Sequence, residues 1–343
     1  MNAGFVVEGR CDPAFAPLRR RFEEAFARGS EREAQLCIHA HGEPVVDLWG
    51  HAEGDADFGP DSLVNVFSSG KSLEAIALAR LDALGLLDYA APIADYWPEY
   101  ARAGKAGTRV RDLLRHEAGL AAFRQSVAAE DLLTDGLKGN RLGRVIEDEP
   151  PRFRSGGGRR EYHAITRGWI ANELFRRVDP AGRTMGEFLR EDIAAPLDAD
   201  VHLGLAPAAL ERVVPFVLLP RGRYLRELLK PPPLERSIAH DALSLAGNVV
   251  PLLGGFRHRT TADAPPPIAG MADVRIFNDP VVRRGETPSA NVHASARGLS
   301  RLAAAMAGEG ELDGRRILSR DAWQALHAAP LRRSMGLETS FTQ

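Results

Sequence analysis

From residue 12 onward the apolar positions change period several times, and each change marks an element. Asp12-Pro13 has the form of a helix N-cap followed by proline at the first helical position. Phe15, Leu18, Phe22 and Phe26 then recur at spacings of three and four, which predicts one apolar helix face, and Gly29 ends it. AQLCIHA (34–40) and PVVDLWG (44–50) are short, rich in β-branched or aromatic residues, and joined at His41-Gly42-Glu43, which predicts a β-hairpin. A loop rich in Asp and Gly (52–61) leads to a short extended piece, LVNVF (63–67). At Ser68 the period becomes helical: Leu73, Ala77, Leu81 and Leu84 share a face, and Gly85 is placed to stop the helix. Thr108 is positioned to cap a helix over 109–116, closed by Gly119. Further helices are predicted over 164–178, 184–195, 295–307 and, behind Ser319, 320–327. Residues 150–160, PPRFRSGGGRR, read as a basic loop, and 205–290, with PPP at 231–233 and 265–267, carry no regular pattern.

Helix, hairpin, a long helical and irregular middle, then helices again is an α+β order; strands and helices do not alternate as a doubly wound sheet requires. The expectation is one domain over residues 1–343. Residues 1–62 and 291–343 form its sheet side, with an antiparallel sheet flanked by helices, and 63–290 form a mostly helical lobe. A chain of 343 residues is long enough to bury about three quarters of its unfolded surface without staples. The net charge of −2 supplies no field that would gather nucleic acid or an anionic membrane, so neither is expected as a partner. Cys11 and Cys37 give no disulfide framework. The first residues lack the basic and apolar regions of a secretory signal, and no run of 18 apolar residues occurs, so a cytoplasmic setting is the default expectation.

Candidate chemistry begins with the lysines. There are only four, at 71, 105, 138 and 230, so each position carries information. Lys71 stands in Ser68-Ser69-Gly70-Lys71, where a spacing of three, just under one helical turn, turns Ser68 and Lys71 the same way at a helix start. A serine hydroxyl attacks only when a neighbour takes its proton. A lysine amine can do so if burial and positive neighbours lower its pKa from about 10.4 by roughly three units. The plain alternative is a capping serine with an exposed lysine in the first turn, and the tetrapeptide alone does not separate the two. A second candidate is Tyr162 in Glu161-Tyr162-His163-Ala164, where a phenol could shuttle a proton; alone it reads equally as an aromatic at a helix start.

Taken together, GEPVVDLWGHA, LVNVFSSGKSLEAIALARLDALGLLDYAAPIADYWPEY, VRDLLRHEAGL, EYHAITRGWIANELFRRV and ANVHASARGLSRLAAAMAG resemble, in order, blocks of the β-lactamase-related serine hydrolases. These include class C β-lactamases, D-Ala-D-Ala carboxypeptidases and penicillin-binding proteins, and the nearest branch is the family VIII carboxylesterases. The resemblance implies a β-lactamase/transpeptidase-like fold, Ser68 as nucleophile, Lys71 as general base and Tyr162 as second proton-transfer residue. His163 is expected beside Tyr162 as a substrate contact, with a structural role as the alternative. In the β-lactamases the middle motif is Tyr-x-Asn; here Ala164 takes the place of the Asn, which points away from β-lactams and peptides and toward esters. The substrate is expected to be a small-molecule ester or amide, with no metal or organic cofactor.

The family carries a third motif, Lys-Thr-Gly or an equivalent, on a late strand. None is legible before Gln343, and Gly254-Gly255 is a poor substitute. The expectation is therefore a family member lacking the family's C-terminal strands, with impaired activity and an unpaired sheet edge that invites self-association. A non-catalytic binding protein of the same fold is the competing reading, and a β-lactamase or D-aminoacyl peptidase is the third. Smaller signals carry bland readings. His39 and His41 have metal-like spacing but no third ligand, His116 belongs to a structural turn, and Arg152, Arg154, Arg159 and Arg160 form a solvated basic patch. Trp49 and Trp169 are assigned to the core.

Overall fold

The computed structural model describes residues 4–55, 57–218, 263–327, 331–334 and 339–342, with the isolated positions Gly222, Tyr224, Leu225 and Leu229. Gly254-Gly255, considered above as a substitute motif, lies outside the described residues.

The predicted hairpin forms as β2 (Glu33–Ala40) and β3 (Glu43–Ala52), and a strand the periodicity did not announce, β1 (Phe5–Cys11), adds antiparallel to the far side of β3. β1 escapes the pattern because its burial is irregular and Gly9 adopts φ +99 inside it. The turn takes His41 and Gly42 through positive φ, so His41 belongs to the turn and not to the strand of His39. The pleat then sorts the side chains by twos. Val46, Leu48 and Gly50 face α1 (Ala16–Ala27), whose Phe26 reaches Gly50 so closely that a Cβ there would lie 2.8 Å from its ring. The odd-numbered residues face the helix Ala296–Ala307: Gln35 accepts from the Ala296 amide, His39 meets Ser300 at 2.6 Å, and Asp47 pairs with Arg297. Trp49, on the central strand, is only half-buried on that face, its indole donating to Glu8 and its ring under Arg297, so it does not belong to the core.

A second sheet, β4 (Val64–Asn65), β6 (Val292–Ala294) and β5 (Val201–Leu203) in the order β4-β6-β5, lies at the start of the helical part. From it runs α2 (Gly70–Ala83), which buries Leu73, Ile76, Ala77, Leu78 and Leu81; Leu84, expected on that face, is the exposed C-cap, and Gly85 with φ +69 ends the helix. The main core gathers these residues with Trp97, Tyr100, Trp169, Phe175 and Phe188. Trp169 and Phe175 come from α6 (Thr166–Val178). The helix predicted over 109–116 is α3 (Val110–Leu114); it is capped at Arg109 by the carboxylate of Asp112, not by Thr108. Its end at His116 takes φ +63. The last described segments, Leu331–Ser334 and Thr339–Thr342, pair antiparallel as a hairpin where the periodicity suggested no strand. Helices with antiparallel sheets make the α+β architecture expected from the element order. No helix among the described residues is long and apolar enough to cross a membrane.

Candidate active site

Ser68 stands at a forced corner. β4 ends at Asn65, whose side-chain carbonyl accepts from the Phe67 amide at 2.7 Å, and Phe67 adopts φ +46, a conformation that is costly for a bulky residue. The Phe67 ring is held edge-on by Phe216 and Phe277, at centroid distances of 5.0 and 6.0 Å. After this turn the backbone winds through a 3-10 turn, Phe67–Ser69, into α2. The result is an exposed Ser68 at the mouth of a helix, on a backbone fixed from behind.

Around its hydroxyl two further groups converge. Tyr162 Oη lies 2.8 Å from Ser68 Oγ, and Lys71 Nζ lies 3.2 Å from it. Lys71 Nζ also donates to the Ala164 carbonyl at 3.0 Å and to the Ser289 carbonyl at 2.9 Å, and stands 5.0 Å from the centre of the Tyr162 ring. An ammonium has three N–H bonds and would use all three. A neutral amine has two, which the carbonyls take, leaving its lone pair toward Ser68 Oγ. The site therefore holds the amine so that its one free direction is the serine. Burial lowers the Lys71 pKa below the ordinary lysine value, Arg167 acts in the same sense, and Glu74 and Tyr162 act against it.

The structure thus brings together Ser68, Lys71 and Tyr162. It does not bring His163 to them as a substrate contact. His163 is fully buried, its Nε2 accepts from the Leu120 amide at 3.0 Å, and its Nδ1 meets the Glu161 carbonyl at 2.5 Å. Both ring nitrogens are thereby committed to backbone, the ring is fixed as the neutral Nδ1–H tautomer, and burial lowers its pKa to about 4. Its amide donates to His116 Nδ1 at 3.0 Å, and the His116 ring lies 5.0 Å from that of Tyr162. The two histidines buttress the tyrosine from behind. Ala164 takes part through its carbonyl, a role that does not depend on its side chain.

Sequence reasoning missed three residues behind Lys71. Glu74, one turn along α2 and completely buried, accepts from Arg167 Nε at 2.9 Å and from the hydroxyl of Ser289. Arg167 also reaches the Lys71 carbonyl at 3.4 Å. The available signal was a charged residue on the apolar side of α2, at the i+3 position from Lys71. The segment 285–295 that carries Ser289 is buried throughout, with the only partial exposures below a tenth, and gave no periodic pattern to find. Its approach depends on Gly70: a Cβ there would lie 2.2 Å from the Pro288 carbonyl oxygen and 2.8 Å from Val292 Cγ2. Gly70→Ala is therefore expected to push the Ser289 carbonyl off Lys71. Turnover should fall at least ~10-fold with a stability loss of ~1–3 kcal/mol, read by kcat and by a denaturant midpoint.

Among the described residues no cluster of His, Cys, Asp and Glu is arranged to hold a metal ion. The basic patch resolves into separate roles: Arg160 is buried against Glu117 at 2.6 Å, Arg159 lies 4.6 Å over the Phe153 ring, and Arg154 is exposed. Only part of it is solvated, which corrects the expectation.

Comparison with known proteins identifies the family. The profile of the family described as Beta-lactamase matches residues 18–339. Esterase/beta-lactamase LipL of Mycobacterium tuberculosis (strain ATCC 25618 / H37Rv) is 36% identical over 324 residues, covering 93% of this chain and 69% of that protein. Among solved structures, a penicillin-binding protein homologue from Caulobacter crescentus is 33% identical with a TM-score of 0.69, covering 95% of this chain and 78% of that one. A family VIII carboxylesterase is 31% identical with a TM-score of 0.71, covering 94% and 77%.

Proposed function

The chain belongs to the beta-lactamase family of serine hydrolases, and from that premise we propose that it hydrolyses carboxylic esters through an acyl-enzyme on Ser68. The observation that carries the reading is the commitment of two Lys71 protons to carbonyls, which leaves the amine facing Ser68 Oγ. In the reaction Ser68 Oγ attacks the ester carbonyl while Lys71 takes its proton, alone or through the Tyr162 phenol at 2.8 Å from the serine oxygen. The tetrahedral oxyanion is met by the Ser68 amide in the opening turn, where N–H groups lack a carbonyl one turn back. Tyr162 then hands the proton to the departing alkoxide, and the alcohol leaves. Water, deprotonated by the same pair, releases the acid and restores Ser68. An ester over a β-lactam or peptide is favoured because Ala164 offers no side-chain amide, and because the relatives include a family VIII carboxylesterase. The name of the mycobacterial relative, which joins esterase and beta-lactamase, makes a β-lactam the second substrate to assay.

A fluorophosphonate probe followed by intact mass and peptide mapping tests the reading. One adduct, on Ser68, with hydrolysis of a short-chain p-nitrophenyl ester that the probe abolishes, is the expected result. Folded protein that takes no adduct on Ser68 would overturn it and leave the non-catalytic reading of the fold.

A further inference from the structure

We propose that the buried Glu74–Arg167 pair is a positioning device for Lys71, fixing both the place of its amine and the pH range in which the amine accepts a proton. This rests on the reading of Ser68 and Lys71 above and goes beyond it. The pair occupies no necessary place in the core. A fully buried carboxylate costs more in desolvation than an apolar side chain of its size, and pairing it with arginine only offsets that cost. The position on α2 one turn from Lys71 would be well served by leucine.

Its contacts show what it holds. Glu74 Oε2 receives Arg167 Nε at 2.9 Å, and Glu74 Oε1 receives the Ser289 hydroxyl. The carbonyl of that same Ser289 receives Lys71 Nζ at 2.9 Å. Arg167 fastens the other side, donating to the Lys71 carbonyl at 3.4 Å and to the Leu114 carbonyl at 3.2 Å. One carboxylate thus ties α2, α6 and the segment carrying Ser289 around one amine. The junction also has space reserved for it. A Cβ at Gly168 would lie 2.5 Å from the Ser289 nitrogen, 2.7 Å from its hydroxyl oxygen and 2.9 Å from Glu74 Oε1, so only glycine lets α6 approach.

Charges facing Lys71 come from few directions. Glu74 lies on its own helix, Arg167 on α6, the Tyr162 phenol on the preceding loop, and His116 at the end of α3. His116 is kept neutral by burial and by the surrounding cations. The Ser289 segment contributes a carbonyl and a hydroxyl but no charge. Among the described residues, the fixed charges of opposite sign that act on the amine are therefore Glu74 and Arg167. Removing Glu74's charge disfavours the ammonium and lowers its pKa; removing Arg167's charge favours the ammonium and raises it. The active base is the neutral amine, so the acid limb of the reaction follows that pKa.

The test is the rate of Ser68 modification by the fluorophosphonate probe, and kcat/KM for a p-nitrophenyl ester, as functions of pH. Glu74→Gln is expected to move the acid limb down, and Arg167→Gln to move it up, each by on the order of one pH unit. Arg167→Lys, which keeps the charge, should leave the limb within a few tenths of wild type while lowering the plateau. Lower plateaus with an unmoved limb in both charge-removing variants would overturn the proposal, since a purely structural pair would produce that. If Glu74→Gln does not fold, the direction of the Arg167→Gln shift decides alone. Failure of wild type to take the probe would refute the Ser68 reading itself, whereas a wild-type adduct with an unmoved limb in the variants refutes only this proposal.

Discussion

Ser68→Ala and Lys71→Met are each expected to reduce kcat for a short-chain ester by about 10⁴-fold or more, and the double variant should lose no more than the worse single one. The non-additivity follows from the geometry. The lone pair that Lys71 directs at Ser68 Oγ has no task once the hydroxyl is gone, and the hydroxyl is unactivated once the amine is gone. The stability effects should differ. Ser68 is exposed, so its truncation should change folding free energy by no more than about 0.5 kcal/mol. Lys71→Met leaves the Ala164 and Ser289 carbonyls without that donor, so a loss of ~1–3 kcal/mol is expected, still leaving a folded protein. Steady-state kinetics alongside denaturant midpoints check both parts. Additive losses in the double variant would show that the two groups do not act as a unit, and would sink the assigned mechanism.

The residues to which the chemistry is assigned were legible because that chemistry would constrain spacing. Ser68 and Lys71 are three apart on a helix, and the period change at Ser68 announced that helix from the apolar residues alone. Tyr162 became legible through the resemblance of its whole block to the family. What holds these groups in place was not legible, because it depends on contacts between segments more than 90 positions apart, such as Glu74 with Arg167 and Lys71 with Ser289. His163 shows the same limit from the other side. A histidine next to a candidate proton-transfer tyrosine invites a role in the site, but a chain leaving a turn can point consecutive side chains oppositely, and this one points inward to the Leu120 amide. β1 was missed for a local reason. A strand containing a glycine at φ +99 and irregular burial has no two-residue period to detect. The helix Ala296–Ala307, by contrast, buries Leu302 and Ala305 while Ala303 and Ala307 stay exposed, and such one-sided burial writes the period into the sequence.

The charge patch around residues 152–160 shows how much one buried pair can change an expectation. If Arg160 were solvated, its replacement would alter stability by no more than about 0.5 kcal/mol. In the structure its side chain is 0% exposed and its partner Glu117 8%, at 2.6 Å. Arg160→Met should therefore leave a carboxylate buried without that guanidinium and cost ~3–5 kcal/mol. Glu117→Leu alone should be similarly harmful, because the guanidinium then loses its carboxylate. Combining the two removes both charges, and most of the loss should be recovered. Denaturant midpoints of the four proteins measure the coupling. The consequence for activity follows the chain: Glu117 and Arg160 flank His116 and Glu161, which are joined by the Glu161 amide to the His116 carbonyl at 3.1 Å, and Tyr162 is the next residue. A clamp loosened there lets the tyrosine drift from its 2.8 Å contact with Ser68. The single variants should accordingly lose turnover as well as stability, and the double variant should regain stability more fully than turnover, because two apolar side chains restore burial without restoring the directional bond that sets the loop. Equal recovery of both would mean that packing alone positions Tyr162.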